Sequence, residues 1–469
     1  MPRNHIRLIE AGAEGLILRI RQLAGSRLGR GSAAMVYGQV VQLAIQLAIL
    51  PVMVREWGLV GFGQWLLIFT LPSLLTMSDV GLVAALGNAM TAAVALEDYD
   101  KARQLYVALR TLLVAVCLVL STLAMLAVAL WPSYFDSIDL PGGAAGAVVI
   151  TLVAYAMLGV FNSAIMAGHR ATDGFALSNI AFQSVVLIEA LGALLTVWFG
   201  GTALDAALVY LFLRAIGTAL LSLLLRARAP WLTRLSWSID WGLVRPLVVP
   251  AISTLPLPLA YAVTLQGAVL AVGATAGVAS IPAFSATRTL TRTALQLTFA
   301  VNVASMPRFT VAAARGDIRR QDQLVIANLL ISVALLVPAA ILFLTFGPAI
   351  IRLWTNGGVL ADPRLLAALT AAMLLNGAWV PISNLILSVN LHSRYTWFFL
   401  MVALVGTAGG YVAALWLGAL GAALGVVAIE AAMIFHIWRI SFALGLVNRR
   451  RLFSQISEGF LTIRSGWHR

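Results

Sequence analysis

The chain has 469 residues, of which 61% are hydrophobic and only 10% are charged. A soluble domain is about half apolar and about a quarter charged, so this composition excludes an ordinary soluble protein and indicates a chain solvated largely by lipid. The net charge of +13 would suit a nucleic-acid-binding protein. The basic residues instead lie in short clusters between apolar segments, as in the cytoplasmic loops of membrane proteins, and we expect no nucleic-acid partner.

The first segment, residues 1–31, is basic and amphipathic, with Arg19 and Arg21 among Leu18 and Ile20. Such a segment is typical of a helix that lies on the anionic cytoplasmic leaflet. A solvated tail is the alternative that the same residues allow.

Twelve apolar segments follow, and each is long enough to cross the hydrocarbon of a bilayer, which takes about 20 residues. They cover residues 32–54, 62–86, 105–131, 144–166, 175–199, 206–225, 243–272, 281–306, 324–346, 365–389, 395–417 and 420–440. We therefore predict an all-α, polytopic membrane protein of about twelve transmembrane helices in two six-helix bundles. The bundles would cover 32–228 and 243–441, with a cytoplasmic linker at 229–242 and a basic cytoplasmic tail at 442–469.

The basic residues predict the orientation. If the N-terminus is cytoplasmic, the Lys and Arg between the spans also lie in cytoplasmic segments, except for Arg55, Arg352 and Arg364. Cytoplasmic loops carry such an excess of Lys and Arg. We expect both termini in the cytoplasm and the loops that contain Asp136 and Asp362 on the opposite side.

The two groups of six spans resemble copies of one unit. The segment from Asp98 to Leu105 and the segment from Asp317 to Leu324 have similar sequences, lie about 219 residues apart and each lead into a new span. Asn162 and Arg170 in the fourth span are echoed by Asn384 and Arg394 in the tenth. A doubled bundle predicts two halves that face each other with a pathway between them.

Charged side chains at membrane depth are the main functional signal, because they are costly there and usually face a pathway or a partner. Arg288 and Arg292 are one helical turn apart, so they share a polar face with Gln296. Arg214 and Arg110 add positive charge in the sixth and third spans. A guanidinium group binds phosphate oxygens with two donors, so we expect an anionic substrate, above all a diphosphate. The alternative is that these arginines pair with buried acids.

Three acids also lie at membrane depth, namely Asp79, Glu189 and Glu430. A buried carboxyl group can bind and release a proton near neutral pH, because burial disfavours its charged form. Glu189 or Glu430 can therefore couple transport to a proton or sodium gradient, and pairing with an arginine is the alternative. Asp79 belongs to the same candidate set, although the adjacent Gly81 favours a structural role.

The seventh span contains four prolines: Pro246, Pro250, Pro256 and Pro258. Proline removes a backbone donor and bends a helix. The spacing predicts a broken helix, which can act as a hinge or simply be a packing kink.

No pattern of catalytic chemistry is present in the sequence. There is no Gly-rich phosphate loop with Lys and no metal-ligand spacing, and the loops between spans are short. We expect no catalytic residue, no metal and no cofactor apart from a coupling proton or sodium ion.

One region carries a family resemblance. It comprises Leu50-Pro51, Trp57-Gly58, Gly61-Phe62-Gly63-Gln64-Trp65 and Ser78-Asp79-Val80-Gly81-Leu82. This region, together with the small-residue segment leading to Arg288, resembles the Wzx-type exporters of the multidrug/oligosaccharidyl-lipid/polysaccharide (MOP) flippase superfamily. The resemblance implies two halves around a V-shaped cavity that opens alternately to each side. It also implies that Arg288 matches an arginine of the eighth helix in the cationic cavity of the related lipid II flippases.

The resemblance further implies the cargo. Members of this branch move an oligosaccharide repeat unit carried on undecaprenyl diphosphate across the bacterial inner membrane, for O-antigen, lipopolysaccharide or exopolysaccharide synthesis. Partners would be that glycan lipid, the membrane lipids and the polysaccharide polymerase and chain-length proteins. The lipid II flippases carry two further C-terminal helices, and no apolar span follows residue 440 here, which favours the polysaccharide branch.

Two alternatives remain. A MATE-like multidrug exporter would have the same layout, but that branch usually exports cations, which suit surplus arginine poorly. A membrane-embedded glycan polymerase or ligase would carry a large extracytoplasmic loop with essential Arg or His. The longest outside loops expected here, 132–143 and 347–364, are short and contain no His.

Overall fold

The computed structural model describes residues 27–76, 80–233, 239–388, 391 and 393–446. Within these residues every regular element is helical. Asp79, most of the predicted amphipathic N-terminal segment and nearly all of the predicted basic tail lie outside the described residues.

The helices fall into two successive groups. The first group is α1 (Arg27–Leu75), α2 (Val80–Ala95), α3 (Tyr99–Leu130), the short α4 (Pro132–Asp136), α5 (Ala145–Ala171), α6 (Phe175–Trp198) and α7 (Ala203–Arg228). The second group is α8 (Trp241–Thr254), α9 (Pro256–Ala276), a 3-10 turn (Val278–Ser280), α10 (Ile281–Ala314), α11 (Ile318–Trp354), α12 (Pro363–Ser388), α13 (Ser393–Leu417) and α14 (Ala419–Ala443).

Ten of the described helical segments are long and apolar enough to cross a membrane. Gly58 at φ 67° bends α1 into two arms, of which the first contains the first predicted span and the second contains the start of the second span, whose end lies in α2. The helix α10 is outside the ten because its polar residues lower its hydropathy, yet its 34 residues are long enough to cross. The predicted spans thus lie in the described helices, with the second divided between α1 and α2 and the seventh between α8 and α9, and the chain is a multi-pass helical membrane protein.

The two halves repeat one set of helix neighbours. In the first half, α3 packs on α2 and α5, α5 packs on α7, and α7 packs on α6. In the second half, α11 packs on α10 and α12, α12 packs on α14, and α14 packs on α13. The matching turns also have matching caps. An Asp98 oxygen accepts from the Lys101 backbone N–H at 3.1 Å, and an Asp317 oxygen accepts from that of Arg320 at 2.9 Å. The predicted duplication is therefore present, while the predicted domain limits stay predictions.

Small residues bring α13 and α14 close together. Gly406 and Gly410 on α13 face Gly425 on α14, where an added Cβ would meet the Gly406 carbonyl oxygen at 2.6 Å. In lipid, helices associate through such close packing because apolar burial alone gives no preference for protein over lipid tails. This contact holds α14, and with it Glu430, firmly against the second bundle.

The helix α1 belongs to both halves. It packs on α6 in the first bundle and on α9 and α10 in the second. Pro51 lies inside α1 and has no N–H to donate to the carbonyl of Leu47, four residues earlier. That carbonyl instead accepts a 2.8 Å hydrogen bond from the indole Nε1 of Trp354, at the end of α11. A backbone group freed by proline thus ties the two bundles together.

The seventh span is broken, as its prolines predict. The helix α8 ends at Thr254, Leu255 separates the two parts, and α9 begins at Pro256. Whether this break serves as a hinge stays a prediction.

Candidate functional site

A cavity of about 680 Å³ opens in the second bundle. Its walls come from α9, α10, α12, α13 and α14, and α1 of the first half closes one side. The sequence predicts a pathway between two six-helix halves that face each other. The structure instead places the cavity mostly within the second bundle, at its boundary with α1, because α1 packs on α9 and α10 as well as on its own bundle.

Arg288 and Arg292 both line this cavity from one face of α10, as their spacing predicts. Arg288 Nη1 donates a 2.7 Å hydrogen bond to the Leu265 carbonyl oxygen on α9, and its guanidinium carbon lies 5.6 Å from the centre of the Phe284 ring. Among the described residues, no acid lies within 4 Å of either guanidinium group. The two guanidinium groups therefore line the cavity without a direct ion pair among these residues, while Glu430 is near enough for its charge to interact with that of Arg292.

Glu430 on α14 is the one acid among the cavity-lining residues that the structure describes. Its carboxylate accepts a 2.7 Å hydrogen bond from Trp379 Nε1 and bonds of 3.1 and 3.2 Å from Asn376 Nδ2. Neutral donors thus hold this acid in place at the cavity wall. The sequence identified Glu430 but not Asn376 or Trp379, since neither residue type is unusual in a membrane helix.

Arg214 and Glu189 lie apart from the cavity, inside the first bundle. Arg214 Nη2 donates hydrogen bonds of 2.6 Å to Glu189 Oε2 and of 2.6 Å to the Tyr155 hydroxyl. The guanidinium carbon lies 4.5 Å from the centre of the Tyr155 ring. This is the pairing that the sequence offered as the alternative to substrate binding.

The remaining arginine candidate, Arg110, is buried on α3 in the first bundle and is not among the cavity-lining residues. None of Arg110, Arg214 and Glu189 lines the cavity. Substrate binding by the two arginines and ion coupling by Glu189 therefore stay predictions.

Carboxamide side chains form much of the remaining polar wall. Gln296 lines the cavity, as expected, and its Nε2 donates to Gln46 Oε1 on α1 at 3.1 Å. Sequence reasoning missed Gln46 and its neighbours Gln39 and Gln42, which also line the cavity. Their spacing of three and four residues within an apolar span was the available signal, because it places all three on one face of α1.

Known proteins resemble this chain in structure and not in sequence. No protein-family model matches the chain, and no curated protein matches it in sequence. Solved structures do match. An inward-facing multidrug resistance MATE family transporter of the MOP superfamily is 14% identical, with a TM-score of 0.64 over 87% of this chain and 95% of that one. An outward-facing transporter of the same description is 15% identical, with a TM-score of 0.63 over 91% and 98%. A MATE protein in the straight conformation is 16% identical, with a TM-score of 0.62 over 91% and 98%. The chain is therefore a multi-pass membrane protein with the fold of the MATE transporters of the MOP superfamily.

Proposed function

We propose that the protein is a flippase that moves undecaprenyl-diphosphate-linked oligosaccharide repeat units across the bacterial inner membrane by alternating access, with both termini in the cytoplasm. The observation that carries this proposal is the pair Arg288 and Arg292, which face the cavity with no acid within 4 Å among the described residues. Guanidinium groups at membrane depth are costly, and those that line a cavity without a direct ion pair favour a pathway for an anionic ligand. Polysaccharide polymerase and chain-length proteins would receive the product.

The two arginines suit a diphosphate in spacing. Four residues along an α-helix advance by about 6 Å, so Arg288 and Arg292 present their donors to neighbouring phosphate groups of one diphosphate. The hydrogen bond from Arg288 to Leu265 fixes one guanidinium group, and its other N–H donors remain for the ligand. Gln296 follows one turn later and extends the same polar face. The prenyl chain would remain in lipid while the polar head crosses.

Glu430 is our proposed coupling group. It reaches the cavity and is held by neutral donors, whereas Glu189 is fully buried and already bound to Arg214. A carboxyl group that meets the cavity can exchange a proton or bind sodium as the cavity opens to either side. Its charge would also change the field that the diphosphate meets at Arg292.

A MATE-like multidrug exporter is the second candidate, and Glu430 favours it, because a carboxylate in a cavity attracts organic cations. The solved structures with the same fold are described as multidrug resistance transporters. Two arginines in the same cavity oppose this function, since they leave its lining with an excess of positive charge. A glycan polymerase or ligase has no feature in the described residues that favours it.

Complementation of a flippase-deficient bacterial strain tests the proposal, with protein abundance measured in the same cells. Arg288→Ala and Arg292→Ala should abolish glycan export at normal abundance, and Arg288→Lys should restore only part of it, because lysine lacks the planar two-donor fork. Arg315→Ala is the matched control, since Arg315 is exposed at the end of the same helix. Normal export by both alanine variants would remove the arginines from the mechanism. Drug resistance conferred by the wild type without glycan export would favour the multidrug exporter.

A further inference from the structure

The cavity wall beyond the arginines consists largely of carboxamides. Gln39, Gln42 and Gln46 line it from α1. Asn302 on α10 and Asn384 on α12 also line it. A wall of neutral groups that both donate and accept hydrogen bonds is not needed to hold a diphosphate, which requires donors and positive charge.

The amides extend in one direction from the arginines. Gln46 meets Gln296, and just past the bend of α1 at Gly58 the backbone of Gly63 approaches the Val278 carbonyl, before α10 begins. The first arm of α1 and α10 therefore run antiparallel. From Gln46 back to Gln39, α1 covers about 10 Å, and from Arg292 to Asn302, α10 covers about 15 Å. The polar wall therefore continues away from the arginines on both helices, towards Gln39 and Asn302.

Much of this hydrogen-bonding capacity is unused within the described part of the chain. Gln39 and Gln42 have no side-chain hydrogen bond there, and the buried Oε1 of Gln296 has no partner. Asn384 Nδ2 donates to Asn302 Oδ1 at 2.9 Å, and Asn302 Nδ2 donates to the Thr298 carbonyl oxygen at 2.9 Å, so the Asn384 side-chain oxygen keeps its accepting capacity within these residues. Buried polar groups are almost always satisfied, so Gln296 Oε1 indicates a polar ligand or the water that it displaces. Gln39, Gln42 and Asn384 are only partly buried, and their amides are open to the same ligand.

We propose that Gln39, Gln42, Gln296, Asn302 and Asn384 form a subsite for the sugar hydroxyls of the carried glycan, which leads away from the diphosphate at Arg288 and Arg292. This rests on the proposed function and deepens it, because it assigns the second part of the same ligand. A carboxamide matches a hydroxyl as both donor and acceptor, and its neutrality leaves the diphosphate to the arginines. Tyr261 and Phe399, whose ring centres lie 5.0 Å apart, add aromatic surface to the same cavity.

Equilibrium binding to the purified full-length protein tests the subsite. The probes are undecaprenyl diphosphate without sugar and the same lipid carrying one or three N-acetylglucosamine residues. We expect affinity to rise with the number of sugars. Gln42→Met should weaken binding of both glycosylated lipids by about threefold to tenfold, the range that a lost hydrogen bond gives. Gln39→Met should weaken the three-sugar lipid more than the one-sugar lipid. Neither variant should change the affinity for undecaprenyl diphosphate, whereas Arg288→Ala should weaken binding of all three.

Methionine keeps the length and flexibility of glutamine, and thermal unfolding of each variant checks the fold. Gln104→Met is the matched control, because Gln104 is exposed on α3, away from the cavity lining. Equal wild-type affinity for all three lipids, or equal losses for all three in Gln42→Met, would overturn the subsite and leave diphosphate binding intact. Failure of all three lipids to bind the wild type would overturn the proposed function as well.

Discussion

Arg214 on α7 and Glu430 on α14 occupy equivalent places in the two halves, since each is the twelfth residue of its helix, counted from Ala203 and Ala419. The two side chains carry opposite charges and have different binding partners. Glu189 and Tyr155 bind Arg214 within the first bundle, while Trp379 and Asn376 hold Glu430 at the cavity. One copy of the repeat thus uses this depth for an internal ion pair, and the other presents a carboxylate to the cavity.

Arg214 is expected to act on stability. Arg214→Leu leaves Glu189 buried without its partner, at a cost of about 3–5 kcal/mol, so protein abundance and the thermal unfolding midpoint should fall. The double variant Glu189→Leu with Arg214→Leu should recover most of the loss, because an apolar pair needs no charge compensation. Arg226→Leu, at an exposed place on the same helix, is the control. Normal abundance of Arg214→Leu together with lost export would instead assign Arg214 to substrate binding.

Glu430 is expected to act on coupling. Glu430→Gln keeps an oxygen that can accept from Trp379 Nε1 and removes the exchangeable charge, so the protein should accumulate normally. Transport in proteoliposomes should then lose its response to an imposed proton or sodium gradient. Glu56→Gln is the control, because the Glu56 carboxylate is paired with Arg55 outside the cavity lining. A variant that keeps the full wild-type response to the gradient would exclude Glu430 as the coupling group.

The orientation can be tested by single cysteines in a Cys117→Ala background. Asp136→Cys and Asp362→Cys, both exposed at loops, should react with an impermeant thiol reagent in intact spheroplasts. Arg319→Cys and Arg450→Cys should react only after the membrane is permeabilised, because the cytoplasmic loops and tail carry the basic residues; Arg450 lies outside the described residues. Labelling of Arg319→Cys but not of Asp136→Cys would invert the topology.

The matching turns before α3 and α11 predict substitutions of opposite sign. Glu97 at φ 59° and Gly316 at φ 64° occupy equivalent left-handed conformations, which cost about 1 kcal/mol for a residue with a side chain. Glu97→Gly should therefore raise the unfolding midpoint and Gly316→Ala should lower it. Gly409→Ala serves as control, since an added Cβ there meets nothing within 4 Å and the residue lies inside a helix. Shifts of the same sign at both turns would refute the equivalence.

Apolar length and local spacing were sufficient to predict most of the fold. The twelve spans follow from hydrophobic runs, the doubling follows from the repeated turn at Asp98 and Asp317, and the shared face of Arg288 and Arg292 follows from helical geometry. All of these features are local in the chain.

Contacts between helices distant in sequence could not be predicted in this way. The pairing of Arg214 with Glu189 depends on how α6 and α7 are rotated against each other, and periodicity does not fix rotation when lipid-facing and buried sides are both apolar. The cavity could not be predicted for the same reason. The sequence of α1 places its glutamines on one face, but it does not indicate that this face packs against α10 of the other bundle.

The bond from Trp354 to the Leu47 carbonyl has a consequence for the energy of opening. Any motion that separates α1 from the end of α11 must break it, and a hydrogen bond of this kind contributes about 1 kcal/mol, which favours the joined arrangement about fivefold over the separated one. Pro51 leaves that carbonyl without its usual partner within α1. A proline that removes one hydrogen bond from its own helix thus allows a contact between the bundles that is weak enough for thermal motion to break.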